Sequence, residues 1–270
     1  MKTVEQLIAT NIFIHEPEDI YHAQASHYLS SHQLIDFIRC PFLHRQKKLG
    51  LIVTKETDAY MVGKAAHVRI LEGTETFQSR YSLDWPCNDE GDPLDGRTKA
   101  VKEWKAQQTQ YPLNPKDVAL IAQMAQGVAL NDQAVELIST GIAEGVIRTT
   151  YNGHPCQIRI DWLNPEHGIV DLKTCDDLTY FEADARKYKY HNQMAFYQAV
   201  LKQVLGFWVP VYLIAIEKKE PYRCGVWRMT DDCLAAARHD NEQAMQRLVF
   251  CQTENVWPTG YEEVRLLEIF

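Results

Sequence analysis

The chain has 270 residues, 46% apolar, 24% charged and 10% aromatic, a composition that excludes a disordered protein and supplies one large core or two small ones. Its 28 basic and 36 acidic residues leave a net charge of -8, which argues against coating nucleic acid by bulk charge but leaves room for a local basic track. No run approaches the roughly eighteen apolar residues of a membrane span, and acids stand where a signal peptide needs its apolar centre, so a soluble cytosolic protein without a membrane partner is expected.

Residues 1 to 28 show no strong period and are expected to form an extended arm. Ser30 or Ser31 then offers an N-cap for SSHQLIDFIRCPFLHRQKKLG, where Leu34, Phe37, Ile38 and Phe42 recur at helical spacing, Pro41 interrupts and Gly50 stops. Four bases and no acid fall between 37 and 51 (Arg39, Arg45, Lys47, Lys48), which makes either a phosphate-facing edge or a solvated helix end. TDAYMVGKAAHVRILEG is a helix ending at Gly73, residues 80 to 96 are a long loop, and RTKAVKEWKAQQTQ and PKDVALIAQMAQGVALNDQAVELI are helical.

Near residue 144 the period changes. EGVIRTTY, the Asn152-Gly153 pair and PCQIRIDWL predict a hairpin, because Asn-Gly accepts the positive φ angles of a type I′ turn. NPEHG turns into the strand IVDLKT. FEADARKYKYHNQMAFYQAVLKQVLG is expected as one long helix closed by Gly206, WVPVYLIAIEK as a buried strand, CGVWRM as a further strand, and TDDCLAAARHDNEQAMQRLVF as a last helix capped by Thr230. The order predicts a three-layer α/β domain: a central mixed sheet between helices, with its core at about 59–217, an amino-terminal arm and helix over 1–50, and a carboxy-terminal strand and helix over 222–250. One domain is expected to span 1–270.

The stretch richest in chemistry is Ile160-Asp161-Trp162, followed by Asp171-Leu172-Lys173. Period-two alternation puts Asp171 and Lys173 on one face of a strand, and a paired hairpin brings Asp161 beside them. Carboxylates clustered at strand ends repel one another and resist desolvation, and a divalent cation would relieve both. Hard oxygen ligands suit Mg²⁺ or Mn²⁺; solvated strand-end charges joined by a salt bridge are the plainer alternative. Tyr190, Gln193 and Tyr197, spaced i, i+3, i+7, share one stripe of the following helix, which either faces the site or packs in the core. His67, set between alanines and valine, is either a core histidine or a ligand, with Gly63 one turn earlier allowing close approach.

Taken together these pieces resemble the PD-(D/E)xK nuclease superfamily and its RecB-like branch. GKAAH with His67 is similar to the helix carrying that branch's additional metal-binding histidine; IRID supplies Asp161; IVDLKT supplies Asp171 and Lys173; YHNQMAFY supplies Tyr190, Gln193 and Tyr197; and LSSHQLIDFIRCP looks like the branch's first helix. The resemblance spans about 29–217. It implies Asp161, Asp171, the Leu172 carbonyl and His67 as metal ligands, Lys173 as the group that positions the attacking water, and Gln193 as an orienting residue. Glu144 resembles an acid found ahead of the first strand in the family, as ligand or support, with Glu217 a weaker candidate.

The GKAAH, RTKAVKEW and KYHNQ segments are most similar to RecE-type exodeoxyribonuclease VIII of phages and prophages. That implies an ATP-independent exonuclease acting on linear duplex DNA, 5′ to 3′, in a bacterial cytoplasm, for a single-strand annealing partner in phage recombination, and assembled as a homo-oligomeric ring; an endonuclease of the same superfamily or an inert DNA-binding relative are the alternatives. The DNA track would use Arg39, Arg45, Lys47 and Lys48, with Arg97, Lys99 and Lys102, and Arg186, Lys187 and Lys189. The seven cysteines are odd in number and lack a CxxC pair, and Cys224, Cys233 and Cys251 are too widely spaced to repeat the cluster-binding pattern of Cas4-type relatives, so no iron-sulfur cluster is expected.

Overall fold

The computed structural model describes residues 13–53 and 56–268; residues 1–12 of the expected arm lie outside them. In chain order the larger elements are α1 (Glu18–Ala23), α2 (Ser31–Arg39), α3 (Pro41–Lys48), α4 (Asp58–His67), α5 (Gly73–Arg80), β1 (Tyr81–Ser82), α6 (Lys99–Gln107), β2 (Tyr111–Pro112), α7 (Pro115–Ala129), α8 (Asp132–Ile138), β3 (Ile142–Tyr151), β4 (His154–Asn164), β5 (Gly168–Cys175), α9 (Phe181–Tyr188), α10 (Tyr190–Leu205), β6 (Val211–Glu217), β7 (Cys224–Arg228) and α11 (Asp231–Glu254). Among the described residues no helix is long and apolar enough to cross a membrane.

Local chemistry accounts for most boundaries. Ser30 closes a capping box with Gln33, satisfying two amides at the start of α2. Cys40 is extended, its Sγ accepts from the Leu43 N–H, and Pro41 opens α3, so the expected interruption becomes two separate helices. Asn152 and Gly153 both have positive φ and join β3 to β4. Thr230 accepts from the Cys233 N–H at the head of α11.

Four expectations change. The supposed arm carries α1 and a 3-10 turn over Gln24–Ser26, and Ile14 pairs with Val146 on β3 through two backbone bonds of 2.9 and 3.0 Å. Gly73 does not end its helical segment: a π-helical turn over Val68–Glu72 leads to Gly73 at φ 91, and α5 continues. The run from Pro115 breaks at Leu130 and Asn131 into α7 and α8. The long helix after β5 is two helices, because Lys189 takes a left-handed conformation between α9 and α10.

The five-stranded sheet has the order β3-β4-β5-β6-β7. The β5–β6 pair is parallel and the other three are antiparallel, so the sheet is mixed as expected. β7, expected outside the core, is its edge strand. On one face Phe37, Ile147, Ile158, Ile160, Leu213, Phe196 and Leu248 form a core under α2, α10 and α11. On the other, Val170, Leu172, Ile214 and Ile216 pack against Val62, Ala66, Ile121 and Val128 of α4 and α7. Helices thus cover both faces of a sheet whose inner strands are apolar on both sides.

Gly127 shows how tightly the second layer closes. A Cβ there would lie 2.3 Å from the Tyr222 carbonyl oxygen and 2.8 Å from Ile216 Cδ1. Helix propensity alone favours Gly127→Ala by about 1 kcal/mol. Because the obstacle is backbone, the substitution is expected instead to destabilise by roughly 1–3 kcal/mol, the usual cost of overpacking; urea denaturation would overturn this if the variant matched or exceeded the parent.

Candidate active site

The site grows out of a fork in the sheet. β4 and β5 pair only at Trp162↔Val170, Leu163↔Ile169 and Asn164↔Gly168. Beyond that ladder they part, and the edge of β4 is taken instead by Leu29, whose N–H donates to the Pro155 carbonyl (2.8 Å) and whose carbonyl accepts from the Gln157 N–H (3.0 Å). Asp161 and Asp171 are the first residues past the last pair. The Leu172 N–H donates to Asp161 Oδ2 across the opening at 3.0 Å. On the other flank, Ala143↔Trp162 and Gly145↔Ile160 bracket Glu144 opposite Asp161, at φ 57. Glu144, Asp161 and Asp171 therefore stand in a row across three strands.

Burial pushes all three carboxyls up. Asp171 is 1% exposed, and desolvation raises its pKa to about 6 although Lys173 opposes the shift. Asp161 is raised by burial, and Glu144 by burial and then by Asp161. Lys173 Nζ lies 2.6 Å from Asp171 Oδ2, donates to Gln193 Oε1 at 3.1 Å and sits 4.7 Å from the centre of the Tyr190 ring. Burial presses this ammonium down, but Asp171 and Asp161 outweigh it, so its pKa is raised.

His67 closes the site from α4: its Nδ1 is 3.4 Å from Asp161 Oδ2. Burial, followed by Lys173, lowers its pKa to about 4, which leaves a neutral imidazole. The stripe on α10 divides between its two readings. Tyr190 and Gln193 touch Lys173, whereas Tyr197 is buried in the main core. Gly63 meets only Thr174 Oγ1, 3.6 Å from a built Cβ, so close approach does not demand glycine there.

Glu217 is not gathered with these groups. Its carboxylate accepts from the Leu178 N–H (2.8 Å) and pairs with Arg223 (2.6 Å), tying the loops around β6 together. Three charges that sequence reasoning passed over do belong around the site. Arg159 Nε lies 2.7 Å from Glu144 Oε2, and Lys64 Nζ 2.9 Å from Glu18 Oε2, with Arg159 3.9 Å from the same oxygen. Although burial opposes it, bonding to His22 and Lys64 holds Glu18 down at about 2. A signal existed for two of them: Lys64 is one turn before His67, and Arg159 shares a strand face with Asp161.

The basic candidates fall into three groups. Arg39 donates to the Lys187 carbonyl at 3.3 Å, which places it beside the exposed Arg186 and Lys187 and next to Lys189, one residue before Tyr190. Lys47 is paired with Asp36 (2.8 Å) and Arg45 lies over the Trp257 ring, leaving Lys48 exposed. Arg97 pairs with Asp95 and Lys99 with Glu103, and Lys102 is exposed. The first group alone adjoins the fork through Tyr190.

Among the described residues no three His, Cys, Asp or Glu side chains stand ready to enclose a metal. The row nevertheless suits a hard divalent cation with several waters retained: its carboxylates are buried near one another, and neither Asp171 oxygen has a well-directed hydrogen-bond donor. Asp161, Asp171 and the Leu172 carbonyl would hold it, with His67 at the edge.

A mixed sheet forked at two acids and a lysine, with helices on both faces, is the arrangement of PD-(D/E)xK domains. Residues 30–268 match the family model described as PDDEXK-like domain of unknown function (DUF3799), and the chain belongs to that family. In fold it is similar to a crystal structure described as a putative exonuclease from Eubacterium rectale, with a TM-score of 0.68 over 95% of this chain and 97% of that one at 17% identity. Comparison with curated proteins gives no match.

Raised carboxyl pKa values set a pH dependence. Folded carboxylates keep protons that the unfolded chain releases, so their contribution to stability falls as pH rises from the ordinary carboxylate range, near 3.8 for Asp171, through about 6. Mg²⁺ or Mn²⁺ should restore it, by about 2.7 kcal/mol at a hundredfold excess over Kd. The rise in Tm on adding metal is therefore expected to be larger at pH 8 than at pH 5 and absent in Asp171→Asn; equal shifts at both pH values would refute this.

Proposed function

We propose that the protein is a divalent-metal-dependent deoxyribonuclease that digests linear duplex DNA from its ends. The observation that carries this reading is the buried carboxylate row at the fork with Lys173 fixed beside it. Cleavage of a phosphodiester needs a nucleophilic water, neutralisation of charge on phosphorus and a held substrate. A bound Mg²⁺ or Mn²⁺ would supply acidified water and positive charge. Asp161, Asp171 and the Leu172 carbonyl would hold the ion, with His67 as a further ligand. Glu144, pinned by Arg159, adds negative charge from behind.

Lys173 acts as an ammonium. Its raised pKa makes it a poor proton acceptor at neutral pH, so it orients the water or a phosphate oxygen by hydrogen bonding and charge. Gln193 and Tyr190 fix that ammonium. Arg39, Arg186, Lys187 and Lys189 line the approach as phosphate contacts, so binding should weaken steeply with salt. End specificity, 5′ to 3′ polarity, a single-strand annealing partner and service in phage recombination within a bacterial cytoplasm rest on the RecE-type resemblance. The ring is supported by the absence from the sequence of a GxxxxGK[ST] motor loop: an enzyme that stays on one duplex without a motor needs enclosure, which identical subunits provide.

The test is a gel of linear and covalently closed duplex DNA, with Mg²⁺ and with chelator. Progressive shortening of the linear form, survival of the closed circle and no activity in chelator are expected. Rapid linearisation of the circle would favour an endonuclease, and inertness of both substrates an inactive binding protein. Asp171→Asn and Lys173→Ala should each lower the rate by about a thousandfold or more while far-UV spectra stay unchanged. Near-parental activity in either variant would remove that residue from the mechanism.

A further inference from the structure

The hinge between α9 and α10 carries a feature that the metal chemistry does not use. Lys189 sits there at φ 60, a left-handed conformation that is unfavourable for a residue with a side chain and persists only where the surrounding structure imposes it. Its consequence is that Tyr188, the last residue of α9, and Tyr190, the first of α10, lie side by side, with ring centroids 6.0 Å apart and planes 26° from parallel. Tyr190 covers Lys173 Nζ at 4.7 Å, so the stack begins at the ammonium of the fork. It ends in solvent: Tyr188 is 45% exposed. Lys187 Nζ lies over the Tyr188 ring at 5.2 Å, on a side chain that is itself exposed and is free to yield that face to a ligand.

A ring left in water at the end of a stack favours a further flat partner, because offset stacking adds to the gain from burying the ring's area. Charge narrows the choice. Arg186, Lys187 and Lys189 adjoin Tyr188 in the chain, and Arg39 joins them through the Lys187 carbonyl at 3.3 Å, against Asp184 one turn back on α9. Aromatic faces interleaved with cations hold an unpaired nucleic-acid strand, its phosphates on the cations and its bases on the rings. Spacing agrees. The two steps of 4.7 and 6.0 Å put Tyr188 within a few nucleotides of a phosphate held at Lys173, since a strand advances about 3.4 Å per nucleotide when stacked. A base inside a duplex has both faces covered by its neighbours, so an unpaired or terminal base is the one that can use the ring without first leaving the stack. We infer that Tyr188 stacks on a base of the strand being cut, and that the site therefore takes the unpaired end of a DNA strand in preference to a blunt duplex end. Choosing DNA as that strand rests on the proposed nuclease reading.

The probes are a linear duplex with blunt ends and the same duplex with a short 5′ or 3′ unpaired tail, bound to the full chain in chelator and followed by fluorescence anisotropy. One of the tailed duplexes should bind about tenfold more tightly than the blunt one, the worth of a single base–aromatic stack. Tyr188→Ala should lose that preference and Tyr188→Phe keep it, since the ring and not the hydroxyl carries it. Removing one base of the tail, position by position, should cost the parent about tenfold at one position and Tyr188→Ala nothing there; a tyrosine that only packs the surface would leave the two proteins equally sensitive. Should Tyr188→Ala unfold, 2-aminopurine at the sensitive position must still lose fluorescence on binding the parent. Equal binding of the blunt and both tailed duplexes, a preference retained in Tyr188→Ala, or no tail position sensitive to loss of its base would overturn the inference. Tail preference in a chain that cleaves no DNA would refute the nuclease reading alone, and cleavage without tail preference would refute this stack alone.

Discussion

Everything at the site depends on where β4 lets go of β5. A ladder of three residue pairs holds the strands together, and the two residues that follow are aspartates at the point where β4 and β5 stop pairing with each other, while β4 keeps β3 and β5 keeps β6. The parting frees the Leu172 carbonyl, turns its N–H onto Asp161, and leaves space for Lys173 and Gln193 to meet. Had the ladder continued, the same side chains would have faced one another across a closed sheet with no room for water or phosphate between them.

The row of acids is a local conflict tolerated by a stable frame. Burial raises Glu144, Asp161 and Asp171, and repulsion from Asp161 adds to it at the other two; the arrangement persists because the sheet beneath it is packed on both faces. Arg159, Lys64 and Glu18 surround the row with charges of alternating sign. Such a frame keeps the carboxylates in place before a cation arrives, which is what preorganised catalysis requires.

How much of this was legible in the sequence follows the range of the forces involved. The hairpin was legible because Asn152-Gly153 sets its own turn, and the Asp171–Lys173 pairing because strand alternation is local. The fold class followed from the order of periods. Glu144 could be suspected from resemblance, but its place opposite Asp161 needed the actual register. The break at Lys189 carried no local signal, since lysine has no preference for φ 60; tertiary contacts impose it, with Phe181 against Trp227 on one side and Tyr190 against Lys173 on the other. Glu217 misled because an acid at a strand end looks the same whether it waits for a ligand or for Arg223. Glu18 was missed because its partners lie 46 and more residues away for Lys64 and Arg159 alike, in a segment whose own period is weak.

The strand-like residue that wedges the fork has an architectural consequence. Leu29 bonds both the Pro155 carbonyl and the Gln157 amide, yet it stands one position ahead of the stretch shared with the family model, which begins at residue 30. Dissecting the protein at that homology boundary would strip β4 of both bonds and discard Glu18 and Tyr21, whose carbonyl takes the Gln157 side-chain amide. The recognisable domain and the working unit thus have different edges, and the smallest piece that preserves the parted strands starts well upstream of the part that sequence similarity delimits.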